Sequence, residues 1–361
     1  MIQPPDHIKT ITPYVPGKPL QELERELGIK GSIKLASNEN PLGPSPRALR
    51  AMRTGMKELN RYPDGSCYYL KNALSGKLNI DPEELIFGNG SNELIELAVR
   101  TYLCPGDEAI MAHPSFVVYS IIVQAVKGKS IVVPLKEWRH DLTAMASKIT
   151  PKTRLIFIAN PNNPTGTINT KTEMAAFMRK VPDTVLVIVD EAYYEYVTAP
   201  DYPDTLTYLK KNKNILILRT FSKMYGLAGL RIGYGISNKK ITSEMNKVRQ
   251  PFNVNSPAQA AALAALEDAG HIKNSKNTNE RGKHYLYKNL RALNINCIPT
   301  EANFIFITFP EDIVSKLNGQ LLSEGIIIRP MGPAAARITI GLPRENKRLI
   351  AALREFVPRN S

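Results

Sequence analysis

Between residues 85 and 236, apolar residues come in short unbroken runs, most of them ending on a polar residue or glycine. The runs are Leu85-Ile86-Phe87-Gly88, Ala109-Ile110-Met111, 130–134, Leu155-Ile156-Phe157-Ile158, Val185-Leu186-Val187-Ile188-Val189, Ile215-Leu216-Ile217-Leu218 and Ile232-Gly233-Tyr234-Gly235-Ile236. Short β-branched runs without polar alternation suit strands buried on both faces, as in a mostly parallel sheet covered by helices. Helical patterns lie between them, such as Leu94, Leu97 and Ala98 after Ser91, and residues 119–125. The pattern predicts an α/β fold.

The flanks read differently. Pro4, Pro5, Pro13, Pro16 and Pro19 exclude a long helix near the start. They leave an extended arm and a short helix, Leu20 to Leu27, stopped by Gly28. The cluster Asn38-Glu39-Asn40-Pro41-Leu42-Gly43-Pro44 must be loop. Ser256 to Leu266, alanine-rich after Pro257, predicts a helix leading into a long connecting one. Strands near 304–308, 326–329 and 338–340 then outline a smaller α+β domain. The expected organisation is an N-terminal arm with part of the small domain over 1–40, a large domain over 41–255, and the small C-terminal domain over 256–361.

Composition narrows the class. With 361 residues, 43% hydrophobic and 22% charged, disorder and fibrous architectures are excluded. A chain this long needs no disulfide or metal staple to hold its core. The net charge of +14 leaves nucleic acid, an acidic membrane surface, or a basic enzyme with anionic substrates open. Lys127, Lys129, Lys210, Lys211, Lys213, Lys239 and Lys240 are scattered rather than arrayed with aromatics, which favours a solvated surface over nucleic acid. Cys67, Cys104 and Cys297 are odd in number and lack metal spacing, and no HExxH pair occurs, so reduced thiols and no metal are expected. No basic stretch leads into an apolar run at the N-terminus, and the richest apolar window, 116–126, is too short to span a bilayer. A cytoplasmic protein without a membrane partner is expected.

Four segments place reactive polar groups where a buried run stops, the location of ligand sites in doubly wound folds. Asp190 follows Val185-Leu186-Val187-Ile188-Val189; a carboxylate there needs a cation or donor, although a helix cap or structural ion pair would also satisfy it. Lys223 closes Arg219-Thr220-Phe221-Ser222-Lys223, and a small-residue run leads on to Arg231. Most lysines are surface charges, but one held in a cleft can lose its proton and act as a nucleophile. Gly88-Asn89-Gly90-Ser91-Asn92 joins a strand to a helix start and could cradle phosphate, as could any tight βα turn resemble it. Asn160-Pro161-Asn162-Asn163-Pro164-Thr165-Gly166 is stiffened by two prolines, fixing Asn163 or simply forming an Asx turn.

Taken together, ANPNNPTG, DEAY and RTFSK, with Lys34-Leu35-Ala36-Ser37-Asn38-Glu39-Asn40-Pro41 and Arg61-Tyr62-Pro63-Asp64, form a specific series. The chain resembles the fold-type I pyridoxal-phosphate aminotransferases, and within them the histidinol-phosphate aminotransferase subfamily, over nearly its whole length. The resemblance implies a large domain with a mostly parallel seven-stranded sheet and a smaller α+β domain. It implies that Lys223 binds pyridoxal 5'-phosphate as a Schiff base and then moves the substrate's proton. Asp190 would pair with the pyridinium nitrogen, and Asn163 and Tyr193 with the phenolate oxygen. Ser91, Asn92, Ser222 and Arg231 would hold the phosphate, Phe116 would stack on the ring, and Tyr62 would reach the site from the other subunit of a homodimer. Arg337 would receive the acidic end of the substrate, with Arg329, Tyr14 and Asn38 nearby. The implied reaction converts histidinol phosphate and 2-oxoglutarate to imidazole-acetol phosphate and glutamate. An aromatic amino-acid aminotransferase and a threonine-phosphate-type decarboxylase are its rivals.

Overall fold

The computed structural model describes residues 2–211 and 213–356, so Met1, Asn212 and the last five residues of the expected small domain lie outside the described residues. Its strands are β1 (Ile33–Lys34), β2 (Leu85–Gly88), β3 (Glu108–His113), β4 (Lys129–Pro134), β5 (Thr153–Ala159), β6 (Leu186–Asp190), β7 (Ile215–Thr220), β8 (Gly233–Ile236), β9 (Asn296–Ile298), β10 (Phe304–Thr308), β11 (Ile326–Ile327), β12 (Arg329–Pro330) and β13 (Ala335–Thr339). Seven of them make one sheet in the order β2-β8-β7-β6-β5-β3-β4. From β7 to β4 every pairing is parallel, and β8 runs antiparallel to both β2 and β7.

Successive residues of the central strands enter two different cores. Ile156, Ile158, Val187, Val189, Ile215 and Ile217 pack on one face. Leu155, Phe157, Leu186, Ile188, Leu216 and Leu218 pack on the other. Both faces are covered, which is why these strands show no polar alternation. Each fully buried aliphatic side chain contributes roughly 1.5–3 kcal/mol. The edge strand β4 is the exception, with Lys129 and Val132 exposed, as an edge strand's solvent side permits.

The smaller sheet has the antiparallel order β12-β13-β10-β9 and packs Ile305, Ile307 and Ile338 against Leu286, Leu290, Leu317, Leu321, Leu349 and Leu353. The N-terminal segment joins it: β1 pairs in parallel with β11, and Leu35 sits in the same core. The expected strand near 326–329 is two strands, because β11 pairs with β1 while β12 pairs with β13. One expectation is corrected by the packing. Helix Ser256–Leu266, assigned from sequence to the small domain, buries Ala258, Ala261, Ala262 and Ala265 in the larger core beside Ala48. Its alanines let helix Pro46–Gly55 approach closely; a Cβ on Gly55 would lie 3.6 Å from that of Ala260. The 24-residue helix Ala269–Ala292 then carries the chain to the smaller core. Among the described residues no helix is long and apolar enough to cross a membrane.

Candidate active site

The parallel strands β5, β6 and β7 end side by side, so the residues following them converge, as expected at the carboxyl edge of such a sheet. Asp190 is the last residue of β6, Asn163 lies in the loop after β5, and Ser222 and Lys223 follow β7. They line a cavity of about 400 Å³ together with Tyr14, Asn38, Ser91, Asn92, Phe116, Tyr193, Arg231 and Arg337. Two residues expected at the site stand apart from that lining. Tyr62 is 82% exposed, with its ring stacked on Phe252 at 4.9 Å. Arg329 lies beyond the wall, its guanidinium 5.6 Å from the Tyr14 ring.

Lys223 points its Nζ at the Ser37 carbonyl oxygen, 3.2 Å away. Burial, then the nearby positive charge of Arg337, brings its pKa down from 10.5 to about 8, with Glu39 and Asp190 acting in the opposite direction. At neutral pH about a tenth of such amines is unprotonated, far more than an ordinary lysine offers.

Asp190 is 7% exposed. Burial pushes its carboxyl above the ordinary value, and two donors oppose that shift. Tyr119 donates its hydroxyl to Oδ2 at 2.8 Å, and the Ala192 N–H donates to Oδ1 at 3.1 Å. Across the cavity, the Tyr193 hydroxyl accepts from Asn38 Nδ2 at 2.9 Å. Burial raises the Tyr193 pKa to about 12, so it remains a phenol. Asn38 has a left-handed backbone (φ 54°), which asparagine tolerates better than most residues, and its side chain is fixed by Thr339.

Helix Ser91–Tyr102 opens onto the cavity through Gly90 at φ 75°. A Cβ on Gly90 would lie 2.6 Å from Arg231 Nη2, and one on Gly233 would lie 2.7 Å from the Ser91 nitrogen. Both glycines are therefore required for the helix start, β8 and the Arg231 guanidinium to share one place. Arg231 Nη1 also donates to Ser222 Oγ at 3.4 Å. Free N–H groups, a hydroxyl and a guanidinium at a helix N-terminus suit an anion.

Arg337, on β13, is 9% exposed and donates to Asn163 Oδ1 and to the Ala36 carbonyl, while its buried Nε has no partner. Burial lowers its pKa, with Arg329 contributing in the same direction. The two arginines face each other in the β12–β13 register. Among the described residues no group of three or more His, Cys, Asp or Glu could hold a metal ion. Reading the sequence missed Tyr119 and Glu39. Tyr119 breaks an apolar window close after Phe116, in the first turn of helix Val118–Ala125, and that break was the available signal. Glu39, which also lines the cavity, bonds to Lys34 at 3.2 Å and stands in the Asn38-Glu39-Asn40-Pro41 loop.

Residues 30–353 match the family model for aminotransferases of class I and II. The chain belongs to the class I and II aminotransferases. Histidinol-phosphate aminotransferase from Moorella thermoacetica is 50% identical over 355 residues, spanning 97% of this chain and 92% of its own. That of Caldicellulosiruptor saccharolyticus is 45% identical, spanning 97% and 99%. A crystal structure of histidinol-phosphate aminotransferase from Sinorhizobium meliloti in complex with pyridoxal-5'-phosphate superposes with a TM-score of 0.91 at 28% identity, covering 99% of this chain and 98% of that one. The fold is thus that of the fold-type I enzymes, and the chemistry is that of a pyridoxal-phosphate-dependent transaminase. The cavity fits that cofactor. It offers a part-deprotonated amine, a buried carboxylate for a ring nitrogen, and an anion cradle that a single Cβ at position 90 would fill.

Proposed function

We propose that the chain transfers the amino group of histidinol phosphate to 2-oxoglutarate, giving imidazole-acetol phosphate and glutamate, as a cytoplasmic homodimer. The observation that carries the substrate is Arg337, a buried guanidinium lining the cavity with its Nε unpartnered, backed by the charge of Arg329 on the neighbouring strand. Two guanidiniums suit a phosphate ester with its double charge; the carboxylate of an aromatic amino acid needs only one. The high identity to histidinol-phosphate aminotransferases supports the same choice.

In this reading the Lys223 amine would hold the cofactor and, once freed, would carry the proton between the substrate Cα and the cofactor's C4′. Its pKa of about 8 suits both directions of that transfer. Pyridoxal phosphate supplies a conjugated ring that accepts the electron pair left at Cα. Asp190 would face the ring nitrogen and keep it protonated. Asn163 already accepts from Arg337 through Oδ1, so its Nδ2 is the atom left to donate, with Tyr193, to the phenolate oxygen. Ser91, Asn92, Ser222 and Arg231 would receive the cofactor phosphate, and Phe116 would pack against the ring. Arg337, Tyr14 and Asn38 form the wall that would take the substrate, and Arg329, beyond Tyr14, adds positive charge behind it. Tyr62, exposed and outside the cavity of its own chain, serves the site of a second copy.

Steady-state rates with histidinol phosphate, phenylalanine and threonine phosphate, each with 2-oxoglutarate, test the assignment. Histidinol phosphate is expected to give the highest kcat/KM. A higher value for phenylalanine, or loss of carbon dioxide from threonine phosphate as the dominant reaction, would overturn it.

A further inference from the structure

We propose that Tyr119 is a positioning residue for Asp190, its hydroxyl holding the buried carboxylate ionised and aimed so that it meets the cofactor's ring nitrogen as an anion. This rests on the reading above, in which Asp190 faces that nitrogen. Asp190 alone would be a poor anion, because its surroundings withhold water. Charged neighbours give limited help. Lys223 approaches from the loop after β7, but its amine is itself partly deprotonated. Glu191, next along the chain, is tied to Arg219 at 2.9 Å and to Thr205 at 2.7 Å. Direct donors remain, one on each oxygen: Tyr119 on Oδ2 and the Ala192 N–H on Oδ1. A carboxylate oxygen has about two acceptor positions, so each oxygen keeps one free for a ligand N–H.

The hydroxyl has little freedom to point elsewhere. The Tyr119 ring stacks on Phe157 at 4.6 Å and 11°, and it meets the edge of Phe116 at 5.5 Å. Burial and the Asp190 charge hold the phenol well above its ordinary pKa, so it stays a donor throughout the working range. The backbone donor cannot be removed by a side-chain substitution, which leaves Tyr119 as the adjustable member of the pair.

The test compares wild type, Tyr119→Phe and a chain carrying 3,5-difluorotyrosine at position 119, each loaded with pyridoxal phosphate. The first readout is the pH midpoint of the visible absorbance band of the bound cofactor, which reports the proton on the lysine–cofactor nitrogen. A weaker anion at 190 leaves the ring nitrogen less protonated. The positive charge that depresses that midpoint is then reduced, so the midpoint rises. Tyr119→Phe should raise it by about one pH unit and lower kcat by about tenfold or more, with KM changed less than about twofold. Difluorotyrosine, a stronger donor, should move the midpoint down. Equilibrium dialysis supplies a second readout, with Tyr119→Phe expected to bind the cofactor more weakly. Should Tyr119→Phe not fold, the difluorotyrosine shift decides alone. Midpoints indistinguishable from wild type in the folded variants overturn the role of Tyr119. Absence of any visible band in wild type overturns the reading on which it rests.

Discussion

Lys223→Met removes the amine while keeping an unbranched side chain, and the structure gives both the sign and the size of its effect on the cofactor-free protein. The gap between 10.5 and about 8, at about 1.36 kcal/mol for each tenfold in proton affinity, amounts to roughly 3 kcal/mol. Residual solvent contact at Lys223 reduces that to about 2 kcal/mol. The sign follows from proton counting. Below about 8 the amine is charged in both states, and the folded protein carries the full cost of holding it in the cavity. Between about 8 and 10.5 the unfolded chain keeps its proton while the folded chain has lost it, so wild-type stability rises with pH. Above that range the cost is gone. Lys223→Met is therefore more stable than wild type by about 2 kcal/mol near pH 6.5, and most of that advantage disappears by about pH 10. Reversible denaturant unfolding of both proteins at the two pH values measures it, and subtracting the pair cancels all other titrating groups. A difference independent of pH, or a Met variant less stable at the lower pH, would refute the claim that burial and Arg337 hold this amine near neutrality.

Other outcomes follow from the same geometry. Asp190→Asn keeps the shape and loses the charge, so turnover should fall at least about a hundredfold with cofactor still bound; single-turnover rates check this, and a rate within about tenfold of wild type contradicts it. Arg337→Lys loses the fork that reaches both Asn163 and Ala36, and KM for the phosphate ester should rise about 10–100-fold while kcat changes less. Mixing Tyr62→Ala copies with Lys223→Ala copies should restore about a quarter of the wild-type sites if each site draws on two chains; no recovery in mixed, re-equilibrated dimers would contradict a shared site.

Much of the fold was legible because the central strands are buried on both faces, so 155–158, 185–189 and 215–218 carry no polar residue to blur them. Helix Leu20–Leu27 and its stop at Gly28, in the left-handed region at φ 66°, were readable from local chemistry. Strands β1 and β9 were not, because two or three residues leave no periodicity, and the pairing of β1 is set by the distant β11. The alanines of Ser256–Leu266 announced a helix but not its partner, since small residues suit close packing in either core. At the site, residues at strand ends were found because polar groups there stand out. Tyr119 did not, because a tyrosine within an apolar helix looks like core until the carboxylate facing it is seen. Arg329 illustrates the reverse: its position after Ile326-Ile327-Ile328 suggested a wall residue, and the fold sets it one strand behind Arg337, against Tyr14.

The most direct test is chemical. Borohydride reduction of the cofactor-loaded protein, followed by digestion and mass spectrometry, should leave a pyridoxyl group on the peptide containing Lys223. The Lys223→Met protein should carry no such group. A pyridoxyl group on a different lysine, or none in the wild type, would contradict the assignment of Lys223 as the residue that holds the cofactor.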